Sequence, residues 1–116
     1  MLLLAAGAYF VWTQSTPPGA PATVADPEGL QWIRSIYGWG ETPRELLQAP
    51  TDAAVAPDGT IWTISGKTTV VGFNPDGSPV RVLAFQRGGQ KGQVGSIEGV
   101  DVDADGNLYL ADFGLG

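Results

Sequence analysis

The chain of 116 residues contains no cysteine and no histidine. It therefore has no disulfide, no thiol nucleophile, no serine–histidine pair and no imidazole for zinc binding or general-base catalysis. Basic residues are also few: 6 Lys and Arg residues stand against 12 Asp and Glu residues, and the net charge is −6. This charge repels phosphate backbones, so we expect no nucleic-acid partner.

Turn-forming residues are abundant. The sequence has 17 glycines and 9 prolines, and 43% of its residues are hydrophobic. A chain that is both apolar and rich in turns is better suited to many short strands than to helices. The composition therefore favours an all-β fold.

The N-terminus carries no charge from Met1 to Trp12. We predict an apolar helix over residues 1–13, acting as a membrane anchor or signal segment, although a spanning helix needs about 20 apolar residues. Residues 14–30 are rich in proline and predict an extended linker. The small residues at 20–22 resemble a cleavage site, but they lie far beyond the apolar run, so an uncleaved anchor is preferred. We expect the rest of the chain to be extracytoplasmic.

A repeat appears when the sequence is shifted by 47 residues. The stretch beginning at Thr51 then aligns without a gap on the stretch beginning at Glu98, and Trp62 aligns with Tyr109. This length is typical of a four-stranded propeller blade. The shared position of the two aromatic residues favours packing between blades over a sugar-binding platform.

Asp-Gly pairs separate the apolar runs of this unit. They stand at 58–59, 76–77 and 105–106, and each predicts a tight hairpin turn. The flanking runs predict antiparallel strands and no helix between residues 50 and 112. The predicted strands are 31–37, 52–56, 60–65, 69–74, 80–86, 99–103 and 107–112.

The segments "GTIWTIS" and "GNLYLAD", each after an apolar strand and Asp-Gly, resemble NHL repeats of six-bladed β-propellers. The resemblance covers residues 31–116, and the first copy departs from the family pattern at Ala56, Pro57 and Ser65. It implies a partial propeller of antiparallel four-stranded blades. It also implies a binding or scaffold module that presents loops to a protein, peptide or glycan.

The segment "DVDADGNLYLAD" of residues 101–112 has the acidic spacing of a calcium loop, with Asp replacing the final Glu. The repeat favours a hairpin instead, because Asp101 and Asp103 become alanines in the first copy while the Asp-Gly pair persists. We expect Asp105 and Gly106 to form the turn and Asp112 to accept backbone hydrogen bonds. Asp101 and Asp103 would lie on one face of a strand, where a divalent cation such as calcium is the alternative ligand.

Glu98 begins the segment "EGV", which resembles the start of gluconolactonase-like propellers. In that family a glutamate near the propeller axis binds a divalent metal. The resemblance makes Glu98 a candidate metal ligand beside Asp101 and Asp103, and implies an alternative function as a metal-dependent lactonase or lyase. A binding module without a cofactor is preferred, because Glu98 corresponds to Thr51 in the first copy and the absence of histidine disfavours the enzyme; no catalytic residue is identified.

Overall fold

The computed structural model describes residues 29–114. The helix predicted for residues 1–13 and the linker predicted for 14–30, except its last two residues, lie outside this range. The chain divides into two compact units, the first ending at Tyr37 and the second beginning at Gly38. Residues 29–37 of the first unit contain no helix or strand. Within them, Nε1 of Trp32 donates a hydrogen bond to Oγ of Ser35 at 3.4 Å.

The strand predicted for residues 31–37 is therefore wrong. Its apolar residues, among them Trp32 and Ile33, follow a pattern that suits a strand. A strand also requires a neighbouring backbone with which its N–H and C=O groups can pair. Both sheets of the described residues are built from residues 53–112, and neither takes in residues 31–37.

The second unit confirms the all-β prediction. Its described residues contain six strands and one short 3₁₀ helix, Pro43–Glu45. The strands are β1 (Ala53–Val55), β2 (Ile61–Ser65), β3 (Thr69–Phe73), β4 (Pro79–Ala84), β5 (Ile97–Val102) and β6 (Leu108–Asp112). The first four form one antiparallel sheet in sequence order, and β5 pairs with β6 in a second sheet. No helix interrupts residues 50–112, as predicted.

Asp-Gly turns join β1 to β2, β3 to β4 and β5 to β6. The glycines have φ angles of 89° at Gly59, 89° at Gly77 and 84° at Gly106. This left-handed region is open to glycine at little steric cost and strains other residues. The three pairs therefore close hairpins, as the sequence predicts.

Two of these hairpins, β1–β2 and β5–β6, share one geometry at the 47-residue offset. Val55 pairs with Ile61 in the first, and Val102 pairs with Leu108 in the second. The turn bonds also correspond, since the amide of Ala56 donates to the carbonyl of Thr60 as that of Asp103 donates to Asn107. The sequence offset thus corresponds to an offset in backbone pairing.

The core lies between the two sheets. Ile64 and Val70 of the first sheet pack with Ile97 and Val100 of β5, and Val94 completes the buried cluster. Fully burying a Val or Ile side chain contributes about 1.5–3 kcal/mol, so this contact is the main apolar attachment of the β5–β6 hairpin to the larger sheet. Both sheets contribute side chains to this cluster, and the turns of the β1–β2 and β5–β6 hairpins lie beside each other.

Within residues 29–114, no helix has both the length and the apolar character needed to cross a membrane.

Candidate functional site

Asp103 organises the turn between β5 and β6. Its Oδ1 accepts hydrogen bonds from the amides of Asp105 at 2.9 Å and Asn107 at 2.8 Å. Its Oδ2 accepts bonds from Nδ2 of Asn107 at 2.9 Å and the hydroxyl of Tyr109 at 3.0 Å. The bonds from Asn107, with smaller contributions from Tyr109 and Asp105, lower the pKa of Asp103. The carboxylate is ionised at neutral pH and shapes the turn.

The predicted roles of Asp105, Gly106 and Asp112 are confirmed. The turn bond runs from the amide of Gly106 to the carbonyl of Asp103 at 3.1 Å. The Asp112 carboxylate accepts bonds from the amides of Gly95 at 2.9 Å and Ser96 at 2.8 Å. This side chain therefore ties the end of β6 to the segment that leads into β5.

Ser65 takes the corresponding position at the end of β2. Its hydroxyl oxygen accepts a hydrogen bond from the amide of Gln48 at 3.0 Å. Gln48 precedes Gly95 by the same offset that separates Ser65 from Asp112. The Ser65 hydroxyl and the Asp112 carboxylate therefore have the same role at the end of a strand, because both can accept a hydrogen bond from a backbone N–H.

Glu98 is ion-paired and is not an isolated acidic group. Its carboxylate lies 2.8 Å from Nζ of Lys67 and accepts a bond from the hydroxyl of Ser96 at 2.7 Å. These two contacts, that of Lys67 first, lower the pKa of Glu98. The side chains of Lys67 and Glu98 are 50% and 45% exposed, so the pair adds little to stability.

Asp101 lies in β5, whereas Asp103 follows the last residue of that strand. The prediction that both would lie on one face of a strand is therefore wrong, because Asp103 belongs to the turn, where its carboxylate accepts the bonds that close the hairpin. The Asp101 carboxylate accepts a hydrogen bond from the next amide, that of Val102, at 2.8 Å. With Asp52 and Tyr109 it lines a shallow cavity of about 330 Å³. Among the residues described, no cluster of three or more acidic side chains is arranged to hold a metal ion.

Asp52 is a bridging residue that the sequence analysis did not identify. Its Oδ2 accepts a hydrogen bond from the amide of Val100 at 3.0 Å, across the boundary between the sheets. Its Oδ1 accepts a bond from the amide of Ala53 at 2.9 Å. Asp52 aligns with Gly99 in the repeat, so the alignment gave no signal for this role.

A second cavity, of about 250 Å³, lies between the turns of the two hairpins. We call it the inter-turn cavity. Its walls are residues 56–58 of one turn, residues 104–106 of the other, and Trp62. The two turns are equivalent in the repeat and belong to different sheets, so the cavity exists because the two sheets pack together.

The two acidic residues of this cavity differ in their partners. The Asp58 carboxylate accepts a hydrogen bond from the amide of Thr60 at 2.9 Å, and this bond is the main cause of its lowered pKa. In the other turn the corresponding amide, that of Asn107, donates to Asp103 instead. Within the described residues no hydrogen bond reaches the Asp105 carboxylate.

Trp62 forms the aromatic part of the wall. Its ring lies closely over Gly72 in β3, where an added Cβ would come within 3.0 Å of Cζ3. Trp62 also packs against the buried cluster between the sheets, so it has a packing role, while packing between blades stays a prediction. Tyr109 differs, being 58% exposed.

No protein-family model matches the sequence, and comparison with curated proteins finds no match.

Proposed function

We propose that the chain contributes neighbouring blades of an NHL-like β-propeller that serves as a binding module for a protein, peptide or glycan. The shared register of the two hairpins supports the blade assignment, as does the buried cluster to which Ile64 and Val100 both belong. Turns that converge on one cavity are a common form of recognition surface, because loops on a rigid scaffold can carry binding groups. The inter-turn cavity is the observation that carries the proposal.

The local contacts of the acidic residues support this choice over a metal-dependent lactonase or lyase. Glu98 is paired with Lys67, and Asp103 accepts four hydrogen bonds within its own hairpin. A calcium ion takes six to eight oxygen ligands and would have to displace these donors. A binding role needs no such rearrangement.

Peptide and glycan arrays probed with the full chain test the binding function. We expect a set of ligands whose binding is lost in Ala104→Gln, because a larger side chain at this exposed position narrows the cavity. Ala84→Gln is the matched control, since Ala84 is also exposed but lies at the end of β4. Array binding that is equal in all three proteins would contradict the proposed site.

We further propose that the uncharged run from Met1 to Trp12 attaches the module to a membrane, with the propeller outside the cytoplasm. The protein in cells should then pellet with membranes and be released by detergent but not by high salt, because apolar burial holds it. Recovery in the soluble fraction, or a mature N-terminus near Thr23, would contradict an uncleaved anchor.

A further inference from the structure

We propose that the inter-turn cavity receives the cationic side chain of a lysine or arginine from a partner protein or peptide. This inference rests on the proposed binding function and specifies the chemistry of the ligand. The cavity combines two acidic residues, Asp58 and Asp105, with the indole of Trp62. No basic residue contributes to its walls as the structure describes them.

The electrostatics favour a cation. A carboxylate forms its strongest hydrogen bonds with ammonium or guanidinium groups, and an indole face attracts a cation within about 6 Å. The lowered pKa of Asp58, caused mainly by the bond from the Thr60 amide, keeps that group ionised at neutral pH. The chain as a whole carries a charge of −6, which attracts basic partners at long range.

The Asp105 carboxylate is the group best placed to bind the cation. Its turn is already held by Asp103, which accepts the bonds from the amides of Asp105 and Asn107. The Asp105 side chain is therefore not needed to close the hairpin. In the first hairpin, by contrast, Asp58 performs that role through Thr60.

The shape of the cavity favours a side chain over a metal ion or a larger ligand. Ala56, Pro57, Trp62 and Ala104 give apolar walls, which suit the methylene stem of Lys or Arg, and their side chains offer calcium no oxygen ligand. A volume of about 250 Å³ is also smaller than the roughly 300–1,000 Å³ of sites for drug-sized molecules. One long cationic side chain fits both properties.

Nuclear magnetic resonance titration of the full chain tests the inference. The probes are short glycine-flanked peptides with a central lysine, arginine or norleucine, because norleucine keeps the alkyl stem and lacks the charge. The lysine and arginine peptides should give saturable shifts at the Trp62 indole N–H and at the amides of Asp105 and Gly106. The norleucine peptide should bind about tenfold more weakly.

Asp105→Asn should weaken binding of the lysine peptide about threefold, the range expected of a partly exposed charge pair. Asp101→Asn is the matched control, since it makes the same change in net charge on the same hairpin but outside the cavity, and it should leave the affinity unchanged. Equal weakening by both variants would overturn the inference, because it would reflect net charge alone. So would a lack of saturable shifts with both cationic peptides at millimolar concentration.

Three further outcomes distinguish failure of this inference from failure of the proposed function. If norleucine binds as tightly as lysine at the same residues, the inter-turn cavity is a binding site but does not select a cation. If butylammonium binds more tightly than the lysine peptide, the site takes a small amine, and the assignment to a partner's side chain is wrong. If no ligand on the arrays binds while the lysine peptide still binds, the result counts against the broader recognition function alone.

Discussion

Asp52→Ala removes a carboxylate that joins the two sheets. Its Oδ2 accepts a hydrogen bond from the amide of Val100 at 3.0 Å, and Val100 is only 6% exposed. Without the carboxylate this amide loses its side-chain acceptor, and only water entering the shallow cavity beside Asp52 and Val100 can replace it. A hydrogen bond to a charged group contributes about 1.5–3 kcal/mol, and an unsatisfied buried donor costs about 1–3 kcal/mol. We therefore expect the substitution to lower the free energy of unfolding by about 2 kcal/mol.

Thermal unfolding followed by circular dichroism measures this loss. In a folded unit of this size, 1 kcal/mol corresponds to roughly 4–8 °C, so the midpoint should fall by roughly 8–16 °C. Amide hydrogen exchange provides a local measurement at Val100. If its protection depends on opening the contact between the sheets, exchange there should be about 30-fold faster in the variant.

Asp101→Ala is the control for removal of a strand carboxylate. Among residues 29–114 the Asp101 side chain accepts a bond only from the adjacent amide of Val102, so its loss should change stability by less than about 0.5 kcal/mol. Asp52→Asn retains an uncharged acceptor and should fall between the wild type and Asp52→Ala. If Asp52→Ala unfolds at the wild-type temperature and exchange at Val100 is unchanged, Asp52 does not hold the sheets together.

Two further predictions concern the β5–β6 turn. Bonds from Asn107 hold the pKa of Asp103 below its ordinary value of 3.8. The stabilisation that this carboxylate provides is therefore complete above the unfolded-state pKa and is lost as pH falls through the folded pKa. Amide shifts of the hairpin followed through an acid titration should show this loss, and an unchanged profile in Asp103→Asn would contradict the prediction. Gly106→Ala should destabilise the protein by about 1–2 kcal/mol in chemical denaturation, because φ at Gly106 is 84°. Gly114→Ala is the control and should be nearly neutral, because Gly114 lies in open space and has no positive φ. Equal effects of the two substitutions would refute the turn argument.

The strands of the second unit were predictable because their signals are local. Asp-Gly pairs mark the turns, and the apolar runs between them fit strands of four to eight residues. The observed bounds of β2 and β6 lie within one residue of the predicted ones. The strand predicted for residues 31–37 failed because strand formation also depends on a partner, which the local pattern does not encode.

The candidate site was less predictable, since it depends on contacts between distant residues. The role of Asp112 followed from its place at a strand end, whereas Asp52 reaches Val100 across 48 residues of sequence. The inter-turn cavity likewise exists only because two hairpins pack together. The Asp-Gly pairs marked both of its walls, but nothing in their spacing showed that they would face a common space.

The differences between the equivalent hairpins show how one backbone can support two kinds of contact. Ala56 and Trp62 of the first hairpin line the same cavity, and Trp62 packs against the core. The equivalent residues of the second hairpin are Asp103 and Tyr109, which form a hydrogen bond at 3.0 Å in an exposed position. A small apolar residue is thus paired with an indole, and a carboxylate with a phenol. In the first hairpin a carboxylate would be costly beside the core, because it would be buried without hydrogen-bond donors. In the second hairpin the exposed phenol supplies such a donor to the carboxylate.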